Sequence, residues 1–239
     1  MKLLTYDAGS GAHVGLATED GVVDLTTRAG VNSLRDLIAA DRVFEMSEYA
    51  GETPDHSLDA ITYLPVIPDP VHIWCVGVNY MDHLQEAIDA GLPRSKTEHP
   101  MIFGRYADTL VGHRQPLLKS PVVNKLDYEC ELAVIIGKGG RYISKEDALD
   151  HVIGYSCFNE GSARDWQYHT AQVVPGKNFQ GTGGFGPWMV TADEIPDPQA
   201  LDISTVLNGE TLQSANTRDM IFDVATTISY VSHISELQP

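Results

Sequence analysis

Between Met1 and Tyr63 the apolar positions fall into short clusters of strand length. LLTYD, HVGLAT and GVVDLT are three such runs, and Glu19-Asp20-Gly21 between the last two supplies turn chemistry, which predicts a hairpin. Asn32-Ser33 then cap a stretch in which Leu34, Leu37 and Ile38 recur at helical spacing. Residues 41–60 are acidic and irregular. LPVIPDP, residues 64–70, carries three prolines, which forbid helix and disfavour a central strand, so it is expected to run extended as a linker. That divides the chain into a small module, 1–63, and a larger one, 71–239.

In the larger module HIWCVGVNY reads as a buried strand and MDHLQEAIDA as a helix, with Leu84 and Ile88 one turn apart and Gly91 and Pro93 as its stop. MIFGRY, DYECELAVIIG and GYSCFN follow as strands, with a helix opened by Ser144 and carrying Asp147 at capping-box spacing before the last. LDISTVL and ETLQ flank Asn208-Gly209, a strong hairpin signal, and Ile221, Val224, Ala225, Ile228 and Val231 mark one face of a final amphipathic helix. Strands come in runs with helices inserted, not in regular βαβ alternation. The expected class is α+β, mostly β, with a rolled sheet. Gly181 to Gly186 satisfies G-x-G-x-x-G but leads into Pro187-Trp188-Met189-Val190, a strand pattern where a dinucleotide fold opens a helix, so it is not read as a nucleotide site.

With 239 residues, 43% apolar and 21% charged, the composition is that of an ordinary folded protein with room for a large core. Its 16 basic and 33 acidic residues leave a net charge of −17, spread over both modules, a field that repels phosphate backbones and anionic lipid. Neither a nucleic-acid nor a membrane partner is expected. Cys75, Cys130 and Cys157 are widely spaced within apolar runs and are expected to be buried free thiols. The start MKLLTYDAGS is too polar for a signal peptide and no apolar run reaches membrane-spanning length, so a cytoplasmic location is expected.

Candidate chemistry concentrates in three places. Along a strand, residues two apart share a face, so Glu129 and Glu131 stand side by side on a face continued by Ala133 and Ile135. Two half-buried anions call for a cation or a shared proton. Magnesium, manganese or calcium suits all-oxygen ligation; an exposed acidic strand end is the other reading. Glu160, at a strand-to-turn junction in NEGSARDWQ, offers a third oxygen ligand or an ordinary cap. Arg164 and Gln167 would share a helix face as donor and amide for a carboxylate, although Arg164 could equally pair with a structural acid. His83 and Glu86 are helix neighbours, suited to a base oriented by a carboxylate or to a surface pair. Lys177, in a Gly-rich loop, is either a charge for a developing oxyanion or a solvated lysine. No G-x-S-x-G elbow occurs.

Taken together, CVGVNYMDHLQEA (75–87), LDYECELAVIIGK (126–138), NEGSARDWQ (159–167), GKNFQGTGGFGPWMVTADEIPDP (176–198) and LNGETLQSANTRDMIF (207–222) resemble the fumarylacetoacetate hydrolase family. The resemblance implies a rolled mixed β-sandwich with a small N-terminal α+β module, usually dimeric. It implies that Glu129, Glu131 and Glu160 hold magnesium or manganese, that His83 oriented by Glu86 activates water, and that Lys177 stabilises oxyanion or enolate charge. Arg164, Gln167 and Tyr80 would contact a 2-oxo acid. The expected reaction is hydrolysis of a C–C bond in an acylpyruvate-like β-diketo acid. Decarboxylation of an oxaloacetate-type acid, isomerisation or hydration of a 2-oxo diacid, and metabolite binding with weak catalysis are the alternatives. Two departures stand out. The family usually has Asp where this chain has Glu160, and relatives continue past Pro239 into a Gly-Asp strand and a Thr-Gly-Thr loop, so 71–239 is expected to lack its C-terminal end.

Overall fold

The N-terminal runs form β1 (Lys2–Asp7), β2 (Ala12–Ala17) and β3 (Val22–Asp24), an antiparallel meander in which Leu3 pairs with Leu16 and Leu16 with Val23. The Thr18 amide donates to the Gly21 carbonyl at 2.8 Å and closes the expected turn. Asp24 caps α1 (Leu25–Ala29) and Ser33 caps α2 (Leu34–Ala39), each through a side-chain oxygen accepting an amide three residues on. Leu34, Leu37 and Ile38 are buried as their spacing requires. The computed structural model describes residues 1–89, 91 and 95–239.

The larger set of strands comprises β4 (Thr62–Tyr63), β5 (Ile73–Gly77), β6 (Met101–Arg105), β7 (Leu110–Val111), β8 (Leu126–Asp127), β9 (Cys130–Ile136), β10 (Val152–Glu160), β11 (Ser162–Ala163), β12 (Gly183–Phe185), β13 (Met189–Thr191), β14 (Asp202–Leu207) and β15 (Glu210–Asn216). Between them lie α3 (Met81–Asp89), α4 (Arg164–Gln167), α5 (Val174–Lys177) and, near the end, α6 (Val224–Ile234). A nine-stranded mixed sheet runs β3-β2-β1-β13-β10-β12-β7, with β4 on β1 and β9 on β10; β12 and β7 are parallel. β1 joins this sheet by pairing Lys2 with Val190 and Leu3 with Met189. One core accordingly contains Leu3, Leu34 and Val66 together with Ile135, Phe185 and Met189. The sheet-rich α+β class expected from the strand pattern is the observed one, and the glycine run 181–186 leads through β12 to β13 with no helix.

Four local expectations need correction. The strand expected over 127–137 is broken at Tyr128-Glu129, because β8 pairs with β11 while β9 pairs with β10. The segment after Ser144 forms only a 3-10 turn at Ala148–His151. Ser144 and Asp147 do bond each other at 2.7 Å, but the chain already enters β10 at Val152, paired with Ile136 of β9, which leaves a helix opened here little length to run. In α3 Leu84 is buried whereas Ile88, expected beside it, is exposed; Ala90 and Pro93 lie outside the described residues. Cys157 is exposed, since the β14–β15 hairpin covers the same sheet face at Cys130, whose Sγ donates to the Ser204 carbonyl, and stops short of Cys157. Among the described residues no helix is long and apolar enough to cross a membrane.

Candidate functional site: a carboxylate triad on the β9–β10 ladder

The register of β9 against β10 brings the acids together. Phe158 pairs with Glu131 and Asn159 with Cys130, and one step further the Glu160 amide donates to the Glu129 carbonyl at 2.9 Å. Alternation then turns the three carboxylates inward, and one oxygen from each of Glu129, Glu131 and Glu160 lies within 4.8 Å of the others. Glu160 is buried, while Glu129 and Glu131 are half-buried.

Three cations surround the triad, unevenly. Lys177, at the end of α5 and only 3% exposed, places Nζ 2.6 Å from Glu129 Oε2 and 3.1 Å from Glu160 Oε2. Arg164 donates through Nη2 to Glu129 Oε1 at 2.7 Å, through Nε to Asp127 at 2.8 Å and through Nη1 to Gln167 Oε1 at 2.9 Å. Arg105 faces Glu160 from inside the sheet. Burial works to raise the Glu129 carboxyl, but Lys177 and Arg164 outweigh it and hold it below its ordinary value. Glu131 has no ion pair among the described residues. Burial first, then the charges of Glu129 and Glu160, push its carboxyl up to about 8. The three cations are thus all spent on Glu129 and Glu160, and none pairs directly with Glu131.

A cavity of about 300 Å³ opens beside the triad, lined mostly by apolar side chains, with Trp74, Tyr80, Glu131 and Glu160 at its polar end. The Tyr80 hydroxyl is buried without a partner, and burial followed by the Glu131 charge pushes it up. His83 and Glu86 lie apart from this group. They meet at 3.5 Å on the outer side of α3, 48% and 81% exposed, and neither lines the cavity. Arg164 and Gln167 do share a face, and the structural acids that Arg164 meets are Asp127 and Glu129.

Sequence reading did not single out Arg105, Asp127, Cys75 or Thr182. Cys75 lines the cavity, and burial, then the neighbouring Glu160 charge, drives its thiol well above the ordinary range. Arg105 did carry a signal: with Met101 and Phe103 it occupies one face of β6, and Phe103 is buried, so a guanidinium falls on a core-facing position.

The donor set fits a hard divalent cation. All three potential ligands are carboxylates, and among the described residues Glu131 makes no ion pair. No imidazole or thiolate belongs to the cluster.

Residues 72–239 match the family model described as fumarylacetoacetate (FAA) hydrolase C-terminal. A mitochondrial oxaloacetate tautomerase of Bos taurus is 34% identical over 251 residues, covering 100% of this chain and 78% of that protein. The oxaloacetate tautomerase YisK of Bacillus subtilis is 40% identical over 257 residues, covering 97% of this chain and 83% of its own length. A crystal structure of maleylpyruvate hydrolase from Sphingobium, in complex with manganese(II) and pyruvate, superposes with a TM-score of 0.82 at 26% identity, over 100% of this chain and 85% of that one.

Proposed function

The chain belongs to the fumarylacetoacetate hydrolase family, and on that premise we propose that it is a divalent-metal-dependent enzyme interconverting the enol and keto forms of an oxaloacetate-type 2-oxo diacid. The observation that carries the metal-dependent part is Glu131, a carboxylate set between two others with no cation of its own. The choice of substrate is supported by the tautomerases that align along the whole chain.

Glu129, Glu131 and Glu160 would hold magnesium or manganese, with calcium also compatible with the donor set. Such a cation, when bound, supplies Lewis-acid stabilisation of a 2-oxo oxygen as enolate charge develops there. The protein's own groups do the rest. Lys177 Nζ, fixed by two carboxylates, adds positive charge beside the same position without needing to reorganise. Arg164 holds Glu129 and fixes Gln167 by donating to its Oε1; neither Arg164 nor Gln167 lines the cavity, so their part is to hold the triad in place. Tyr80 Oη, without a protein partner, is left to hydrogen-bond a second substrate oxygen. Ketonisation removes the enol O–H proton and delivers one to the adjacent carbon, so no water need be activated and no C–C bond breaks.

C–C hydrolysis of an acylpyruvate is the second reading, favoured by the His83–Glu86 pair, because only that reaction needs a base for water. The two separate experimentally. Manganese-loaded protein should accelerate loss of the enol absorbance of oxaloacetate, releasing no carbon dioxide, and His83→Ala should leave that rate within about 3-fold of the parent. If acylpyruvates are instead cleaved and His83→Ala lowers that rate by about 100-fold or more, hydrolysis replaces tautomerisation as the function.

A further inference from the structure

Arg105 is built into the sheet more tightly than any role at the surface would require. Its side chain is 0% exposed. Nε donates to Thr109 Oγ1 at 3.0 Å and Nη2 to Thr182 Oγ1 at 2.6 Å, and those two hydroxyls donate in turn to the carbonyls of Tyr106 and Phe179, both at 2.7 Å. The guanidinium carbon sits 5.6 Å from the Phe158 ring centroid. Gly183 makes room for the seat: a Cβ there would lie 2.8 Å from Arg105 Nε and 3.1 Å from the Phe158 ring, so a side chain would force the guanidinium to shift.

What this seat leaves free is Nη1. It lies 3.6 Å from Glu160 Oε1, and both atoms are buried with no hydrogen-bond partner. A guanidinium does not shed its proton at any ordinary pH, so burying it demands an anion, and Glu160 is the carboxylate facing it. The other Glu160 oxygen, Oε2, turns the opposite way to Lys177. Two neighbouring acids push Glu160 outward by like-charge repulsion, and the fixed guanidinium on its inner side, with the Cys75 thiol nearby, resists that push.

We infer that Arg105 is a positioning residue for the triad: its locked guanidinium holds Glu160 Oε1 and so presents Oε2 to the centre shared with Glu129 and Glu131. It touches no substrate and acts through Glu160. The inference rests on the metal-centre reading above for its functional meaning, but the Arg105–Glu160 link can be measured without metal.

Manganese affinity is compared by calorimetry between the parent and Arg105→Met, and metal-free unfolding is measured for the parent, Arg105→Met, Glu160→Gln and the double variant. By Coulomb's law alone, removing a cation beside the centre should tighten manganese binding. Loss of positioning should instead weaken it by about 10- to 100-fold, as loss of a supporting partner of a metal ligand does. In unfolding, Arg105→Met should cost more in the parent than in the Glu160→Gln background. Unchanged or tighter manganese binding, or equal stability losses in both backgrounds, would overturn the inference. If Arg105→Met does not fold, Arg105→Lys takes its place under the same criteria, keeping the charge while losing the planar fork. If the parent itself binds no manganese, the metal-centre reading falls, and the stability coupling still decides whether Arg105 holds Glu160.

Discussion

The protein contains two buried polar networks, and they are built on opposite plans. In the N-terminal region Asp24 accepts from the Thr27 amide at 2.8 Å and from the Tyr6 hydroxyl at 3.1 Å, with His13 Nδ1 2.8 Å away, and its own amide donates to Asp55, which Arg28 grips. Every polar atom named there has a partner. At the triad the reverse holds. Among the described residues, the buried side-chain atoms lacking any partner are Trp74 Nε1, Tyr80 Oη, Arg105 Nη1 and Glu160 Oε1. All of them line the cavity or face a residue that does. Satisfied buried networks fix a fold, whereas unsatisfied ones persist only where something else is to be bound. The contrast locates function more sharply than the count of charges, which is high in both places.

The comparison breaks most readily at Glu131. Glu131→Gln should lower metal-dependent turnover by about 1,000-fold or more while making the metal-free protein more stable by about 1–2 kcal/mol, because folding no longer has to hold a carboxyl there against burial and two neighbouring acids. A variant that loses turnover and stability together would mean that Glu131 belongs to a structural network after all. At Asp24 the sign reverses: Asp24→Asn should cost about 2–4 kcal/mol, since a charged acceptor with three donors is lost, with manganese affinity unchanged within about 2-fold. Burial works to raise the Asp24 carboxyl, but the Thr27 amide, His13 and Tyr6 together hold it below its ordinary value. Its contribution is therefore present above the ordinary carboxylate range and is lost as pH falls through the lowered native value, so the variant should show a flatter acid limb in unfolding than the parent. The smallest effect is expected at the α2 cap, where Ser33→Ala should cost about 1 kcal/mol in urea unfolding and leave the triad untouched.

Features legible in the sequence were those whose cause lies within a few residues. The Glu19-Asp20-Gly21 turn, the Ser33 cap, the Asn208-Gly209 hairpin and the inward face shared by Glu131, Ala133 and Ile135 all follow from local chemistry and strand alternation. Features that failed depend on distant chain. Ser144 and Asp147 form their mutual bond, yet the pairing of Val152 with Ile136 draws the chain into β10 a few residues later. Lys177 lies 48 residues from Glu129 and Arg105 lies 77 residues from Thr182, separations at which spacing in sequence carries no information about contact. The alternation along MIFGRY, which sequence reading left unused, is consistent with Arg105 lying inside but says nothing of which anion faces it.

The pairing of β1 with β13 also sets a timetable. Leu3 and Met189 are neighbours in one ladder, so β1 cannot complete its hydrogen bonding until β13, more than 180 residues later, has been made. At roughly 5–20 residues per second of synthesis, that leaves an unpaired edge waiting for about ten seconds or longer. Closing so long a loop costs on the order of 4–5 kcal/mol of chain entropy by the logarithmic law, recovered only when the shared core around Leu3 and Met189 forms. On the ribosome, β1 is made well before the strand that encloses it.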